Sequence, residues 1–204
     1  MLTLRSSPAS PFGRKVKIAL AVLGLSDRVE IEATDTNDPK DSIRRQNPLG
    51  KIPALILENG RVLFDSRVIV EYLDHLAGGG RIIPQDDTRF AVLTLQALAD
   101  GIADAALLQV YESRFRPETL RSADWVAYQA EKVTRGLAAL EASPPAEVVA
   151  GGTPTIGQIA LACALGYLDL RFGGRWRDAH PKLVAWLAAF DRAIPAFEAT
   201  RMKS

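Results

Sequence analysis

Ser10 is the residue near the start of the chain whose type and position could stabilise an anion. Pro11 follows it directly, and serine before proline is typical of a helix N-terminus. A hydroxyl there can donate a hydrogen bond to a bound anion, and the helix dipole favours negative charge at that end. The alternative is that Ser10 only caps the helix. Ser6 and Ser7 offer the same hydroxyl group slightly earlier.

Two further positions place polar groups at the ends of predicted elements. Lys51-Ile52-Pro53 precedes an apolar run, and Pro53 suits the start of a strand. Asp65-Ser66 precedes an amphipathic helix, which Asp65 could simply cap. The first N–H groups of that helix and the Ser66 hydroxyl could instead bind a carboxylate. For Lys51 the alternative is a solvated surface position.

Composition excludes several other kinds of chemistry. Cys163 is the only cysteine, so no intrachain disulfide can form, and its apolar helix predicts a core residue. His75 and His180 lack metal-ligand spacing, so we expect no metal. A formal net charge of +1 gives no basis for binding nucleic acid or an anionic membrane. We expect a cytoplasmic protein, because we find neither a signal peptide nor a membrane span of roughly 18 apolar residues.

The elements that must position these residues fall into two groups. Up to residue 78 the pattern predicts strand, helix, strand, short helix, strand, hairpin, strand and helix, with Asn59-Gly60 marking the hairpin. Residues 79–85 are rich in glycine and predict a linker, and everything later is helical. The predicted strands are 2–5, 29–33, 53–57 and 61–64, and the predicted helices are 10–23, 39–45, 65–76, 86–114, 123–142, 155–171 and 181–193. The helix from Thr155 is apolar all round, which predicts burial, and Thr155 with Gln158 forms a capping box.

Four segments in this order resemble the soluble (cytosolic-type) glutathione transferase superfamily. They are Ser10 to Val16, Asn47 to Pro53, Phe64 to Leu73, and Thr155 to Ala160. The Ser-Pro-Phe opening and residues 99–105 are most similar to a small bacterial serine-type branch. The resemblance implies a thioredoxin-like α/β domain at 1–78, a linker at 79–85, and an all-α helical-bundle domain at 86–204 that lines the electrophile site.

The resemblance also implies roles for individual residues. Ser10 would stabilise the thiolate of glutathione, and Ile52, before a cis Pro53, would pair its backbone with the cysteinyl residue. Ser66 would bind the γ-glutamyl carboxylate and Asp65 the α-amino group, with Lys51 facing the glycyl carboxylate. Ser6 and Ser7 superficially resemble a Ser-Ser-Cys motif of some serine-type relatives, but counting back from Val16 favours Ser10. No tyrosine precedes Tyr72, which excludes the tyrosine-type mechanism.

The second substrate would lie between the two domains. Its candidate contacts are Phe12, Tyr111, Arg114 and Trp176, whose identities suit a small electrophile that is apolar or anionic, with apolar favoured. The implied function is glutathione-dependent conjugation for detoxification by a homodimer, with reductase, dehalogenase or isomerase activity as variants. The competing hypothesis is an adaptor or binding protein that uses the same fold without transferase activity.

Overall fold

The first part of the chain forms a four-stranded mixed sheet with helices packed beside it. A computed structural model describes residues 1–149 and 151–202. The strands are β1 (Leu2–Ser6), β2 (Val29–Ala33), β3 (Ala54–Ile56) and β4 (Val62–Leu63), in the order β2-β1-β3-β4. Strand β1 runs parallel to β2 and antiparallel to β3, with Leu4 opposite both Ile31 and Leu55. This sheet gives the thioredoxin-like half that the sequence predicts.

Three helices accompany the sheet: α1 (Pro11–Val22), α2 (Ile43–Gln46) and α3 (Ser66–Leu76). Helix α1 follows β1 after a four-residue loop, which brings its N-terminus to the end of the central strand pair. It packs against α3 on one side and against the helical half on the other. Val16, Ile18 and Ala19 are completely buried there. The position of Ser10 is therefore fixed by a helix held between both halves of the protein.

The rest of the described chain is helical. It contains α4 (Thr88–Phe115), α5 (Ala123–Ala142), α6 (Ile156–Phe172), α7 (Pro181–Ala193) and α8 (Pro195–Ala199). Helix α6 is the central one, packing against α1 and α4, and the predicted capping box of Thr155 and Gln158 is present. A Cβ at Gly157 would lie 2.7 Å from the Val92 carbonyl oxygen, so glycine allows α4 and α6 to approach closely.

Helix α4 is apolar but not fully covered. Among residues 1–149 and 151–202 it alone is long and apolar enough, by length and composition, to cross a membrane. The core helix of a soluble protein meets the same test, and α4 packs along α5 and α6. Asp100 and Asp104 interrupt its apolar run, and for that reason the sequence pattern does not predict a span.

The fold class predicted from sequence is confirmed, with local differences. Helix α2 is shorter than predicted, and β4 keeps only two residues of its predicted four. Helix α8 was not predicted, because Pro195 was expected only to end α7; it instead begins a new turn, in which proline suits the first position. The domain boundary at residues 79–85 lies in the turns between α3 and α4, and the division into domains stays a prediction.

Candidate functional site

A cleft of about 490 Å³ lies where the N-terminus of α1 meets the long helices of the second half. Its walls come from the loop after β1, the loop before β3, α4 and α6. Six of the residues predicted from sequence line it: Ser10, Phe12, Lys51, Ile52, Tyr111 and Arg114. These residues are far apart in the chain, and the packing of α1 against α3 and α6 helps to bring them together.

Ser10 is the N-cap of α1, and its hydrogen bonding leaves its own proton free. Its Oγ accepts a hydrogen bond from the Gly13 backbone N–H at 3.1 Å. A hydroxyl has one donor and two acceptor positions, so capping the helix uses only acceptor capacity. Among the described residues no acceptor receives the Ser10 proton. The capping role and a donor role toward a ligand are therefore compatible.

The structure separates the three serines near the start of the chain. Ser6 is buried at 2% exposure, and a Cβ on Gly13 would come within 2.2 Å of its Oγ. Ser6 is thus packed beneath the first turn of α1, outside the cleft. Ser7 does line the cleft, and its carbonyl accepts the Ser10 backbone N–H at 3.3 Å. Of the other two serines, Ser7 is therefore the one that could also donate a hydrogen bond to a ligand in the cleft.

The loop before β3 presents free backbone groups to the cleft. The Ile52-Pro53 bond is cis, as the family resemblance implies. Asn47 holds this loop: its side-chain amide donates to the Lys51 carbonyl at 2.8 Å and its Oδ1 accepts from Leu49 N at 3.0 Å. Within the part of the chain that the structure describes, neither the N–H nor the C=O of Ile52 forms a hydrogen bond. An extended peptide could pair with both groups.

Asp65 and Ser66 begin α3 and do not line the cleft. The Asp65 carboxylate accepts the Arg67 N–H at 2.9 Å, and Ser66 is buried at 3% exposure. Arg67 donates to Asp100 on α4 at 3.1 Å. Asp104, one turn further along α4, does line the cleft. Arg67 and Asp100 therefore link the start of α3 to the cleft wall.

The pattern of charges on α1 and α4 includes residues that sequence reasoning missed. The Lys15 ammonium lies 2.7 and 2.8 Å from the two carboxylate oxygens of Asp100, and both side chains are buried. Partial burial raises the pKa of Asp104, the Asp100 carboxylate adds to the rise, and Arg67 and Lys51 oppose it. One signal was present: Lys15 lies three and four residues before the apolar Ile18 and Ala19, on a helix face predicted to be buried, where a charge needs a partner.

Trp176 is a correction to the predicted site. It is buried in a 3-10 turn (Arg175–Ala179), away from the cleft, and its indole N–H donates to Asp169 at 2.8 Å. Arg177 binds the same carboxylate at 2.9 and 2.6 Å. Asp169 therefore holds this turn against α6 and keeps Trp176 in a structural role. Two residues of α6 that the sequence did not single out, Tyr167 and Arg171, line the cleft instead.

Cys163 is a core residue. It is buried in α6, where loss of solvent raises the pKa of its thiol to about 12. A thiol in this environment stays protonated at neutral pH and is neither a nucleophile nor a redox partner. Within residues 1–149 and 151–202 no three His, Cys, Asp or Glu side chains are grouped so as to hold a metal ion.

Comparisons with known proteins agree with this architecture. Residues 4–81 match the glutathione S-transferase N-terminal domain model, and residues 123–189 match the C-terminal domain model. The uncharacterized GST-like protein YibF of Escherichia coli K12 is 36% identical over 90% of both chains. A glutathione transferase family member from Pseudomonas fluorescens Pf-5, crystallised with bound glutathione, is 43% identical with a TM-score of 0.91 and full coverage of both chains.

A second crystal structure is similar over the whole chain. It is a glutathione S-transferase from Methylobacillus flagellatus KT with glutathione bound, 38% identical with a TM-score of 0.90. These relatives cover both halves of the chain, and the two domain models together match more than half of it. The chain belongs to the soluble glutathione S-transferase superfamily.

Proposed function

We propose that the protein is a serine-type glutathione transferase that binds glutathione in the cleft and activates its thiol for attack on a small electrophile. The observation that carries the proposal is the Ser10 hydroxyl, which caps α1 yet keeps its proton available at the cleft. The two relatives crystallised with glutathione support the same ligand. Glutathione is a co-substrate here, and the proposal involves no metal.

The tripeptide would bind in an extended form along the loop before β3. The free N–H and C=O of Ile52 would pair with the cysteinyl backbone, which is strand addition on a small scale. Lys51 is exposed beside them and would face the glycyl carboxylate. At the start of α3, Ser66 would bind the γ-glutamyl carboxylate. The exposed Asp65 carboxylate would take the α-amino group.

Ser10 would shift the ionisation of the bound thiol. A free thiol has a pKa of about 8.5, and lowering it by about two units requires roughly 2.7 kcal/mol of preference for the thiolate. A hydrogen bond to a charged acceptor contributes about 1.5–3 kcal/mol, and the helix N-terminus adds about 0.3–1 kcal/mol. The two effects together are sufficient. The resulting thiolate needs no further base at neutral pH.

The thiolate sulfur would then form a bond to an electrophilic carbon. In a substitution, the bond to the leaving group breaks and the leaving group departs with the electron pair. In an addition to an activated double bond, the adjacent carbon takes a proton from water. Dehalogenation and isomerisation use the same nucleophile. Reduction would require a second glutathione, because Cys163 is buried and protonated.

The proposal includes a two-fold homodimer and a cytoplasmic location, where glutathione is kept reduced. Helices α3 and α4 support the dimer, because Val68 and Phe90 are 46% and 72% exposed although they are large and apolar. Sedimentation velocity should give about twice the monomer mass of 22.1 kDa. Phe90→Glu should dissociate the dimer, whereas Leu120→Glu, at another exposed apolar position, should not. A monomeric wild type at micromolar concentration would contradict the dimer.

The central test is binding of glutathione followed by turnover. Titration calorimetry should show one glutathione site per chain, and the protein should be retained on immobilised glutathione. Haloarenes, isothiocyanates, organic peroxides and β-carbonyl thioethers, each assayed with glutathione, would then identify the reaction type. A folded protein that does not bind glutathione would favour the adaptor hypothesis. Binding without turnover of any of the four classes would favour a binding protein.

A further inference from the structure

One wall of the cleft is built from a repeated pair of residue types on two helices. On α4, Tyr111 is followed one turn later by Arg114, and on α6, Tyr167 is followed one turn later by Arg171. All four side chains line the cleft. Residues three or four apart lie on the same helix face, so each helix presents an aromatic ring beside a guanidinium. This aromatic and cationic wall lines the same cleft as Ser10 and Phe12.

Both guanidinium groups in this wall lack an anionic partner. Neither Arg114 nor Arg171 forms an ion pair with a carboxylate of the described residues, although both line the cleft. Glu112, two residues before Arg114, is buried and already binds the Ser122 N–H at 2.8 Å and Arg116 at 3.3 Å. Asp169, two residues before Arg171, is already bound by Trp176 and Arg177. The positive charge of the wall is therefore not neutralised by its own helix.

The contacts of the two arginines are with aromatic rings. The Arg114 guanidinium carbon lies 5.5 Å from the Phe115 ring centroid, and that of Arg171 lies 5.8 Å from the Tyr167 centroid. Burial raises the pKa of Tyr167, while the charge and hydrogen bonding of Arg171 oppose the rise. Tyr167 thus stays neutral and can donate a hydrogen bond. Two guanidinium groups and two phenols are donors that suit a carboxylate.

The charges of the side chains that line the cleft also favour an anionic ligand. It contains Lys51, Arg114 and Arg171 against one carboxylate, Asp104. In the proposed binding mode Lys51 is occupied by the glycyl carboxylate of glutathione. The two arginines lie on the helical side and have no counterpart in the tripeptide contacts assigned to Lys51, Ile52 and the start of α3. Both arginines are therefore available to bind the second substrate.

We infer that the electrophile carries a carboxylate, held by Arg114 and Arg171, and that its apolar or aromatic body packs between Tyr111 and Tyr167. The inference rests on the proposed function and narrows the substrate class that the sequence left as apolar or anionic. The carboxylate takes no part in bond making, so the reacting sulfur and carbon are those already described. Its role is to orient the electrophile relative to the thiolate.

The test uses two glutathione conjugates that differ only in the group of interest. S-(4-carboxybenzyl)glutathione and S-(4-methylbenzyl)glutathione have similar shapes, and titration calorimetry at low ionic strength gives both affinities. The wild type should bind the carboxylate conjugate about tenfold more tightly, as expected for one added charge-assisted hydrogen bond. Raising the salt concentration should reduce the preference, because both arginines are exposed.

Substitutions of the two arginines test whether they cause the preference for the carboxylate conjugate. Arg114→Gln and Arg171→Gln should each lower it several-fold, and the double variant should abolish it while binding glutathione like the wild type. Arg192→Gln removes the same charge from an exposed site on α7 and should keep the full preference. Equal affinity of the wild type for both conjugates, or a preference that survives in the double variant, would overturn the inference and leave the proposed function intact. No binding of glutathione or either conjugate would overturn both.

Discussion

Ser10 has two proposed roles, capping α1 and donating a hydrogen bond to the thiolate. Replacing it by alanine or by glycine separates them, because both remove the hydroxyl but glycine is the better helix cap. Ser10→Ala removes the oxygen that accepts the Gly13 N–H at 3.1 Å, which should cost about 1 kcal/mol of stability. For a chain of this size that corresponds to a Tm lower by about 2–4 °C. Ser10→Gly also removes the hydroxyl, but glycine is a tolerated N-cap and the cost should be only a few tenths of a kcal/mol.

Both Ser10 variants should lose the same catalytic contribution. If the hydroxyl supplies about 1.5–3 kcal/mol to the thiolate, turnover should fall by about 10- to 200-fold in each. The apparent pKa of bound glutathione should rise in each, while glutathione affinity should change little, because Ile52, Asp65 and Ser66 would hold the rest of the peptide. The assay is a spectroscopic pH titration of the bound thiolate, combined with steady-state rates and thermal unfolding.

Ser7→Ala is the matched control, since Ser7 lines the same cleft and contributes its carbonyl rather than its hydroxyl to the turn. It should leave the thiol pKa, the rate and the Tm near wild type. If Ser7→Ala abolishes the thiolate signal and Ser10→Ala keeps it, the catalytic serine has been placed three residues too late. If none of the three variants changes the pKa, the backbone N–H groups at the start of α1 stabilise the thiolate and Ser10 is only a cap.

Three further predictions concern the frame of the site. Asp100→Asn leaves the buried Lys15 charge without its partner and should destabilise the protein by about 3–5 kcal/mol in denaturant unfolding, whereas Lys15→Met with Asp100→Leu should recover much of the loss. Gly13→Ala places a methyl group 2.2 Å from Ser6 Oγ and should lower the free energy of unfolding by about 1–3 kcal/mol. Adding Ser6→Ala to this variant should restore part of the lost stability. If the effects of the two substitutions on stability simply add, the contact is contradicted. The raised pKa of Asp104 means that its ionisation opposes folding, so stability is lost as pH rises through that pKa. Asp104→Asn should therefore raise the Tm at pH 7 and have little effect at pH 3, and an equal change at both pH values would contradict this sign.

Local signals predicted most of the fold because they are short-range. Ser10-Pro11 marks the start of α1, Asn59-Gly60 the hairpin, and Thr155 with Gln158 the start of α6, and each depends only on neighbouring residues. Strand β2 and the bounds of α5 and α7 were predicted to the residue. The exceptions are elements whose ends depend on tertiary contacts. Strand β4 is shorter than its apolar pattern, and α8 exists because Phe197 packs against Arg14 and Phe190.

The site was predicted less completely, because its walls meet only in three dimensions. The site residues in the loops could be predicted from the spacing of motifs. Tyr167 and Arg171 could not, because they lie on α6, whose mainly apolar sequence predicts burial and does not indicate that one face lines the cleft. Trp176 illustrates the opposite error. Its aromatic type suggested a ligand contact, whereas Asp169, seven residues earlier, captures its N–H. Nothing in the sequence alone ranks Asp169 above a ligand as the partner of that indole.

The distribution of unused hydrogen-bonding capacity argues for a ligand in the cleft. Folded chains pair nearly all their buried polar groups, and in this protein the buried charges of Arg5 and Lys15 bind carboxylates of the same chain. Four groups around one cleft have no such partner among the described residues: the Ser10 proton, the backbone of Ile52, and the exposed guanidinium groups of Arg114 and Arg171. A protein that served only as an adaptor would gain nothing from leaving a donor at a helix N-terminus, an unpaired loop backbone and two cations around one cavity. A peptide thiolate and an anionic partner would use all of them at once, since each group matches a different part of that pair.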